Sequence, residues 1–408
     1  MKRSLHNNIR TIYVMGFCQN FLVVLPVFVP LLQGHGLSMS QVLQTQALFA
    51  LTIALCEVPS GYFADIWGRR TAIVLGSALN AVGFASLLWA DSFLDFVVYE
   101  VILGVGFSLI SGADLALLYD TELYLRKRGL PGGAGAGKSL SRLISVEAAA
   151  SGIAGVTASL LLLWSLEGVI IAQVCVGVLP LVLAVFLVEV PRAPSEASHR
   201  DNMRQIVELL LFGKPVVLWT AFAIAVFGLL ATYVFWIYQK YWEIQAVPLE
   251  YFGYIWAGFA LAVSLSARFT DALEKRLGTR GLLCLIATLP LVGLLGMALG
   301  SGWLGVLFGL LIQLSRGVSM SLFYEALNSR VPGDFRATVN SLVSLGVRAI
   351  FIVTGPVLGY ALDSLGMQAT LLTMVAVFTP LLGLVLVPLV IRIHRERAGA
   401  AAEAVPAN

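Results

Sequence analysis

Residues 71–90 and 207–232 show neither the polar stripe of a surface helix at period 3.6 nor the alternation of a half-buried strand. Such runs recur along the chain, and they need a solvent that is itself apolar. Only 12% of the residues are charged and 59% are hydrophobic, whereas about a quarter of a soluble domain's residues are charged. A lipid bilayer meets that need, and it restricts the fold to helices or closed barrels because every backbone N–H and C=O must be satisfied internally. The runs are of helical length, so the expected class is all-α and integral to the membrane.

A helix needs about 20 apolar residues to cross the hydrocarbon. Charges, Gly and Pro divide the chain into spans at 9–33, 40–67, 71–90, 94–122, 139–164, 166–188, 207–240, 249–271, 281–300, 303–328, 337–363 and 367–391. Retained cytoplasmic loops are enriched in Lys and Arg, which tests this division. With twelve transmembrane helices and both termini cytoplasmic, Lys240 is the one basic residue on the outer side. Arg268, Arg316 and Arg348 fall within spans, and all the rest of the 26 Lys and Arg face inward. Trp89, Trp164, Trp242 and Trp303 sit near span ends, as interfacial aromatics do. Lys2, Arg3 and Arg10 precede a run of full span length, which fits a retained first helix better than a cleaved signal peptide. The expected location is a bacterial-type inner membrane.

The polar stretch EVPRAPSEASHRDNMRQ, 189–205, separates six spans from six. The expected organisation is a six-helix bundle at 1–190, a cytoplasmic linker at 191–206, a second bundle at 207–392 and a flexible tail at 393–408. The halves repeat weakly. At an offset of about 205 residues, Gly112, Tyr119 and Asp120 of span four fall on Gly317, Tyr324 and Glu325 of span ten, and Asp65 falls near Asp271. Internal repeats around a midplane site are a recurring design of secondary transporters.

Between spans two and three lies Gly61-Tyr-Phe-Ala-Asp65-Ile-Trp-Gly68-Arg69-Arg70. Gly61 is expected to let another helix approach, Gly68 to allow a tight turn, and Arg69 and Arg70 to offer partners to Asp65. This loop resembles the Gly-x-x-x-Asp-x-x-Gly-Arg-Arg signature of the major facilitator superfamily. The resemblance implies a fold of two six-helix pseudo-repeat bundles and a cytoplasmic latch that forms and breaks as they rock. Asp120 or Glu122 could complete its charge cluster. The second-half counterpart, Asp271 to Arg280 through Gly278, is degenerate in spacing. The fifth span carries Gly152 and Gly155 without the Pro found in antiporter branches, while Gly355-Pro356-x-x-Gly359 stands in span eleven.

Ionisable groups deep in a span are functional candidates by default. At about 1.5 Å per residue, Glu57 lies roughly 18 Å from Arg69, Asp114 roughly 18 Å from Arg126, Glu147 roughly 13 Å from Lys138 and Arg348 roughly 18 Å from Arg336. Arg316 lies roughly 21 Å from Arg330. Asp114 with Arg316, and Glu147 with Arg348, are candidate pairs across the halves. In the functional reading an acid exchanges a proton while an arginine competes as counter-charge or grips an anionic group. In the structural reading the pairs hold helices together, and Glu57 beside Pro59 satisfies freed backbone groups. Asn20 with Pro26 and Pro30, and Tyr233, Trp236 and Gln239 in span seven, are further cavity candidates, because the resemblance implies that spans one, four, seven and ten line the cavity.

Two signals point elsewhere and are set aside. Gly132 to Ser139, with Lys138, satisfies the phosphate-loop pattern, but that loop works between a strand and a helix of an α/β domain. No nucleotide is expected. Cys18, Cys56, Cys175 and Cys284 lie apart in apolar segments and the four His are scattered, so neither a disulfide framework nor a metal site is expected. No cofactor and no nucleic-acid partner is implied by a net charge of +3. The expected function is secondary transport by a monomer, coupled to protons, with efflux of an amphipathic organic compound ahead of metabolite symport or uniport. A membrane enzyme or a scaffold retaining the fold is the remote rival, for no nucleophile–base constellation is visible.

Overall fold

A computed structural model of the chain describes residues 2–128, 136–190, 215–332 and 335–403. Among these residues the regular structure is entirely helical. In chain order the helices are α1 (Lys2–Asn20), α2 (Phe28–Gly34), α3 (Met39–Trp67), α4 (Arg69–Ser86), α5 (Phe93–Ser111), α6 (Ala113–Lys127), α7 (Ala136–Leu162) and α8 (Leu166–Val185). They continue with α9 (Pro215–Ile244), α10 (Phe252–Arg268), α11 (Thr270–Leu299), α12 (Gly302–Asn328) and α13 (Arg336–Glu403). The linker at 191–206 lies outside the described residues. The segment expected as a tail, 393–408, continues α13 as far as Glu403.

Local chemistry starts several of these helices. Ser38 and Gln41 form a reciprocal capping box at the start of α3, and Ser92 with Asp95 does the same for α5. The Ser165 hydroxyl accepts from the Gly168 N–H at the start of α8.

Ten segments of the described residues are long and apolar enough to cross a membrane. Helix α4, where the third span is expected, is not among them: its 18 residues begin with Arg69 and Arg70. The last segment, Thr338–Glu396, covers both of the final expected spans. Gly366, at φ 79° and ψ 172°, interrupts it with a conformation essentially reserved for glycine. The first expected span is also not one helix. Pro26 lacks an N–H, and a short 3₁₀ turn, Leu25–Val27, separates α1 from α2. The Val24 N–H beside this break donates to the fully buried Gln173 Oε1 at 3.3 Å, supplying the partner that lipid cannot.

The chain forms two compact units that interleave the sequence: 1–194, 242–260 and 352–363 in the first, and 195–241, 261–351 and 364–408 in the second. The first has a core running from Leu5 and Ile12 through Ile73 and Leu117 to Leu187. The second is built around Ile224, Leu282, Leu327, Val339 and Leu389. Within the first unit, α7 meets the start of α10 at a glycine crossing. A Cβ on Gly155 would stand 2.7 Å from the Gly253 carbonyl oxygen, and the Ser159 hydroxyl accepts the Tyr254 N–H at 2.9 Å. In the same unit the Asp363 carboxylate takes the N–H groups of Met39 (3.0 Å) and Ser40 (2.8 Å), adding a second cap to α3.

Backbones this close leave no room for side chains, whereas a Cβ on Gly61 would meet nothing within 4 Å. The close approach expected at Gly61 therefore occurs elsewhere in the unit. Gly253→Leu is expected to cost about 1–3 kcal/mol by overpacking, while Gly61→Ala stays within about 0.5 kcal/mol. Thermal unfolding of the two purified variants in one detergent checks the contrast.

Candidate functional site

The loop after α3 is organised by one glycine and one carboxylate. Gly68 closes α3 and opens α4 at φ 98° and ψ 146°, a region that side chains rarely enter. This turn aims the first N–H groups of α4 at Glu189, whose Oε1 accepts from Arg69 N at 3.1 Å and Oε2 from Arg70 N at 2.8 Å. A carboxylate at a helix N-terminus satisfies two orphan donors and opposes the positive end of the dipole. It also crowds position 68, where a Cβ would sit 3.0 Å from Glu189 Oε2.

The two arginines extend the clamp. The Arg69 guanidinium pairs with Asp120 and donates to the Ala116 carbonyl, both on α6. Arg70 Nη2 donates to the Val185 carbonyl at 2.9 Å. Asn8 fastens α1 to the same strap by a reciprocal pair with Val188, at 2.8 and 3.0 Å. Asp65 is exposed on α3, and the acids that receive Arg69 and the start of α4 are Asp120 and Glu189. Glu189 was not among the residues singled out by sequence, because it stands at the start of a polar stretch that reads as linker. Its signal is an acid in the run Leu187-Val-Glu-Val190, where both flanking apolar ends are buried.

Unit 2 holds the degenerate counterpart. Gly278 again has positive φ, 69°, but Thr279 follows it where Arg69 follows Gly68. The Thr279 hydroxyl donates to Glu274 Oε1 at 2.7 Å, across the break at Gly278. Asp271, Glu274, Glu325 and Arg330 line a cavity of about 220 Å³. Arg330 Nη2 is held at 2.9 Å by Glu396 of α13, a residue that sequence did not mark. Arg280 is exposed.

The acids and bases expected at the midplane fall into different units. In unit 1, Asp114 lies in the first turn of α6, just after the interruption at Gly112, and its carboxylate takes the Leu115 N–H at 2.6 Å. Gly16 of α1 makes room for Leu143 of α7, to whose Cδ1 a Cβ at position 16 would stand 2.6 Å, and Glu147 Oε1 lies beside the same spot at 3.4 Å. Asn20 caps α1 by donating to the Gly16 carbonyl at 3.0 Å. Glu57 is half-buried on α3, where the Ser60 hydroxyl donates to its backbone carbonyl at 3.1 Å beside Pro59. A further acid escaped the sequence reading. Glu100, 4% exposed, receives the amide of Gln46, 5% exposed. It lies only two turns into α5, where a carboxylate passes for an interfacial one.

In unit 2, Arg316 and Arg348 line a single cavity of about 450 Å³, together with Trp236. Gln239 is fully buried and outside the lining. Tyr233 packs between Phe351 and Phe378 at ring-centre distances of 6.2 and 6.1 Å.

The phosphate-loop pattern sits elsewhere. Its first glycines, Gly132, Gly133 and Gly135, lie outside the described residues, and α6, not a strand, precedes it. Its Ser139 is buried in α7 and donates its hydroxyl to Glu122. Two substitutions test the clamp. Gly68→Ala is expected to cost about 1–3 kcal/mol through backbone conformation alone. Glu189→Ala is expected to cost about 0.5–2 kcal/mol through loss of the cap. Thermal unfolding of each variant, with Glu189→Asp as the conservative control, provides the measurement.

The comparisons accord with this architecture. Among solved structures, the nucleoside transporter NupG superposes with a TM-score of 0.75 at 11% identity, covering 93% of this chain and 98% of that one. A mutant of the peptide transporter POT in complex with sulfate gives 0.71 at 14% identity, covering 93% of both chains. A D-xylose-proton symporter gives 0.64 at 14% identity, covering 92% and 96%. At these identities the likeness concerns the fold. A search of curated proteins finds no match. The family model of the Major Facilitator Superfamily matches residues 11–349, and the chain, a multi-pass membrane protein with the loop, helices and fold described above, belongs to that superfamily.

Proposed function

We propose that the protein is a secondary active transporter that exports a small amphipathic organic solute in exchange for protons, working as a monomer by alternating access. In this reading the chain has twelve spans in two six-helix halves, 1–190 and 207–392, joined by a cytoplasmic linker, with both termini in the cytoplasm. The observation that carries the reading is the division of midplane charge. Two carboxylates, Asp114 and Glu147, belong to unit 1, and two guanidiniums line a small-molecule-sized cavity in unit 2.

Each set has a different task. An acid within a span is costly to keep ionised, so Asp114 and Glu147 are each suited to holding and releasing a proton. The cavity takes the solute. Arg69, Asp120 and Glu189 provide the latch, tying the signature loop to α6 and to the end of α8 so that the elements of unit 1 move as one body. Gly61 and Asp65 belong to the same latch, and Asp271, Arg280 and Glu325 are its counterpart in unit 2. Neither ATP nor a metal takes part.

Flux into proteoliposomes decides the coupling, using a solute found by comparing tolerance and accumulation in cells with and without the protein. Gradient-driven flux is expected to fall about ten-fold or more, about 1.4 kcal/mol in barrier, in Asp114→Asn and in Glu147→Gln, while solute exchange without a gradient persists. Unchanged pH dependence in both variants would remove the proton role.

A further inference from the structure

We infer that the cavity of unit 2 selects an organic anion, a carboxylate or similar oxyanion carried on an aromatic or aliphatic body. The inference rests on the proposed role of that cavity as the solute site and names the chemical class that fits it. The lining brings Arg316 of α12 and Arg348 of α13 to the same space, and it includes no Asp or Glu. A guanidinium is costly to keep out of water within a membrane span. A bound anion lowers that cost and can accept up to two parallel N–H···O bonds from a guanidinium fork such as that of Arg316.

The neutral polar groups point the same way. Two of the lining hydroxyls already donate to their own helices, Thr232 to the Gly228 carbonyl at 2.9 Å and Ser319 to the Arg316 carbonyl at 3.1 Å. The lining holds no Asn or Gln side chain. Its side-chain hydrogen-bonding capacity is therefore rich in donors and poor in strong acceptors. A sugar or nucleoside presents many hydroxyl and amino donors, which would find few matched acceptors here, and a desolvated donor left unmatched costs affinity. A carboxylate presents acceptors alone.

The remainder of the wall is an apolar and aromatic surface made by Phe227, Phe235, Trp236, Met320 and Phe323. It suits a flat or flexible hydrocarbon body, and Trp and Phe faces gain from ring stacking. A volume of about 450 Å³ falls at the lower end of small-molecule sites, which run from about 300 to 1,000 Å³. A body of one or two fused rings is the expected size.

A matched set of probes tests this directly: 1-naphthylacetate, its neutral amide and 1-naphthylmethylammonium, each titrated by calorimetry into the full-length protein in lipid nanodiscs, against empty nanodiscs. The carboxylate is expected to bind about ten-fold or more tightly than the amide, with the ammonium weakest. Arg316→Gln should erase the preference for the carboxylate while leaving amide binding within about two-fold, and Arg316→Lys should retain part of it. Arg348→Gln gives an independent second measure, and size-exclusion profiles confirm that each variant is folded. Equal or tighter binding of the amide or ammonium, lost in Trp236→Ala, would overturn the anion inference and leave the solute site in place. Absence of binding by all three, or binding untouched by Arg316, Arg348 and Trp236 substitutions, would overturn both.

Discussion

Lipid offers no hydrogen bond and almost no charge stabilisation, so each polar group of this chain must find its partner within the protein. Where a helix is interrupted, the structure supplies such a partner. The break before Pro26 is met by Gln173. The same requirement makes the gathering of two guanidiniums at one cavity informative. Charge is costly to hold at membrane depth, and a wall that concentrates one sign of it is suited to a solute of the other.

The signature loop acquires a specific mechanical meaning from this constraint. Its arginines are engaged in joining α4 to α6 and to the strap after α8, with Asp120 and Glu189 as the receiving acids. Unit 2 repeats the positive-φ glycine but lacks the arginine beside it, and Thr279 bonds across the break to Glu274. The two halves share a backbone plan and differ in how firmly that plan is fastened.

Much of the fold was legible in the sequence because hydropathy and basic-residue placement answer to the bilayer rather than to tertiary detail. The pairing of Arg69 with an acid of the fourth span was accessible from the charge and position of Asp120. Glu189 was not, because its partners are backbone N–H groups that no side-chain pattern advertises. Gly61 misled for a related reason: a glycine in a helix marks either close approach or open space, and only packing distinguishes them. The break in the first span is signalled by Pro26 and Pro30, but a Pro within an apolar run also occurs inside the unbroken α8 and inside α11, at Pro180 and Pro290. Co-location of Arg316 with Arg348 depends on how α12 and α13 pack, which residue spacing along the chain does not encode.

The central claim is that this protein moves a solute by exposing one site alternately to the two sides of the membrane. Counterflow in proteoliposomes tests it most directly: vesicles preloaded with unlabelled solute are diluted into a trace of the labelled form, with no ion gradient. The account predicts saturable, transient accumulation of label that requires both the preloaded solute and the protein. Uptake that rises linearly with concentration and ignores the preload would contradict it.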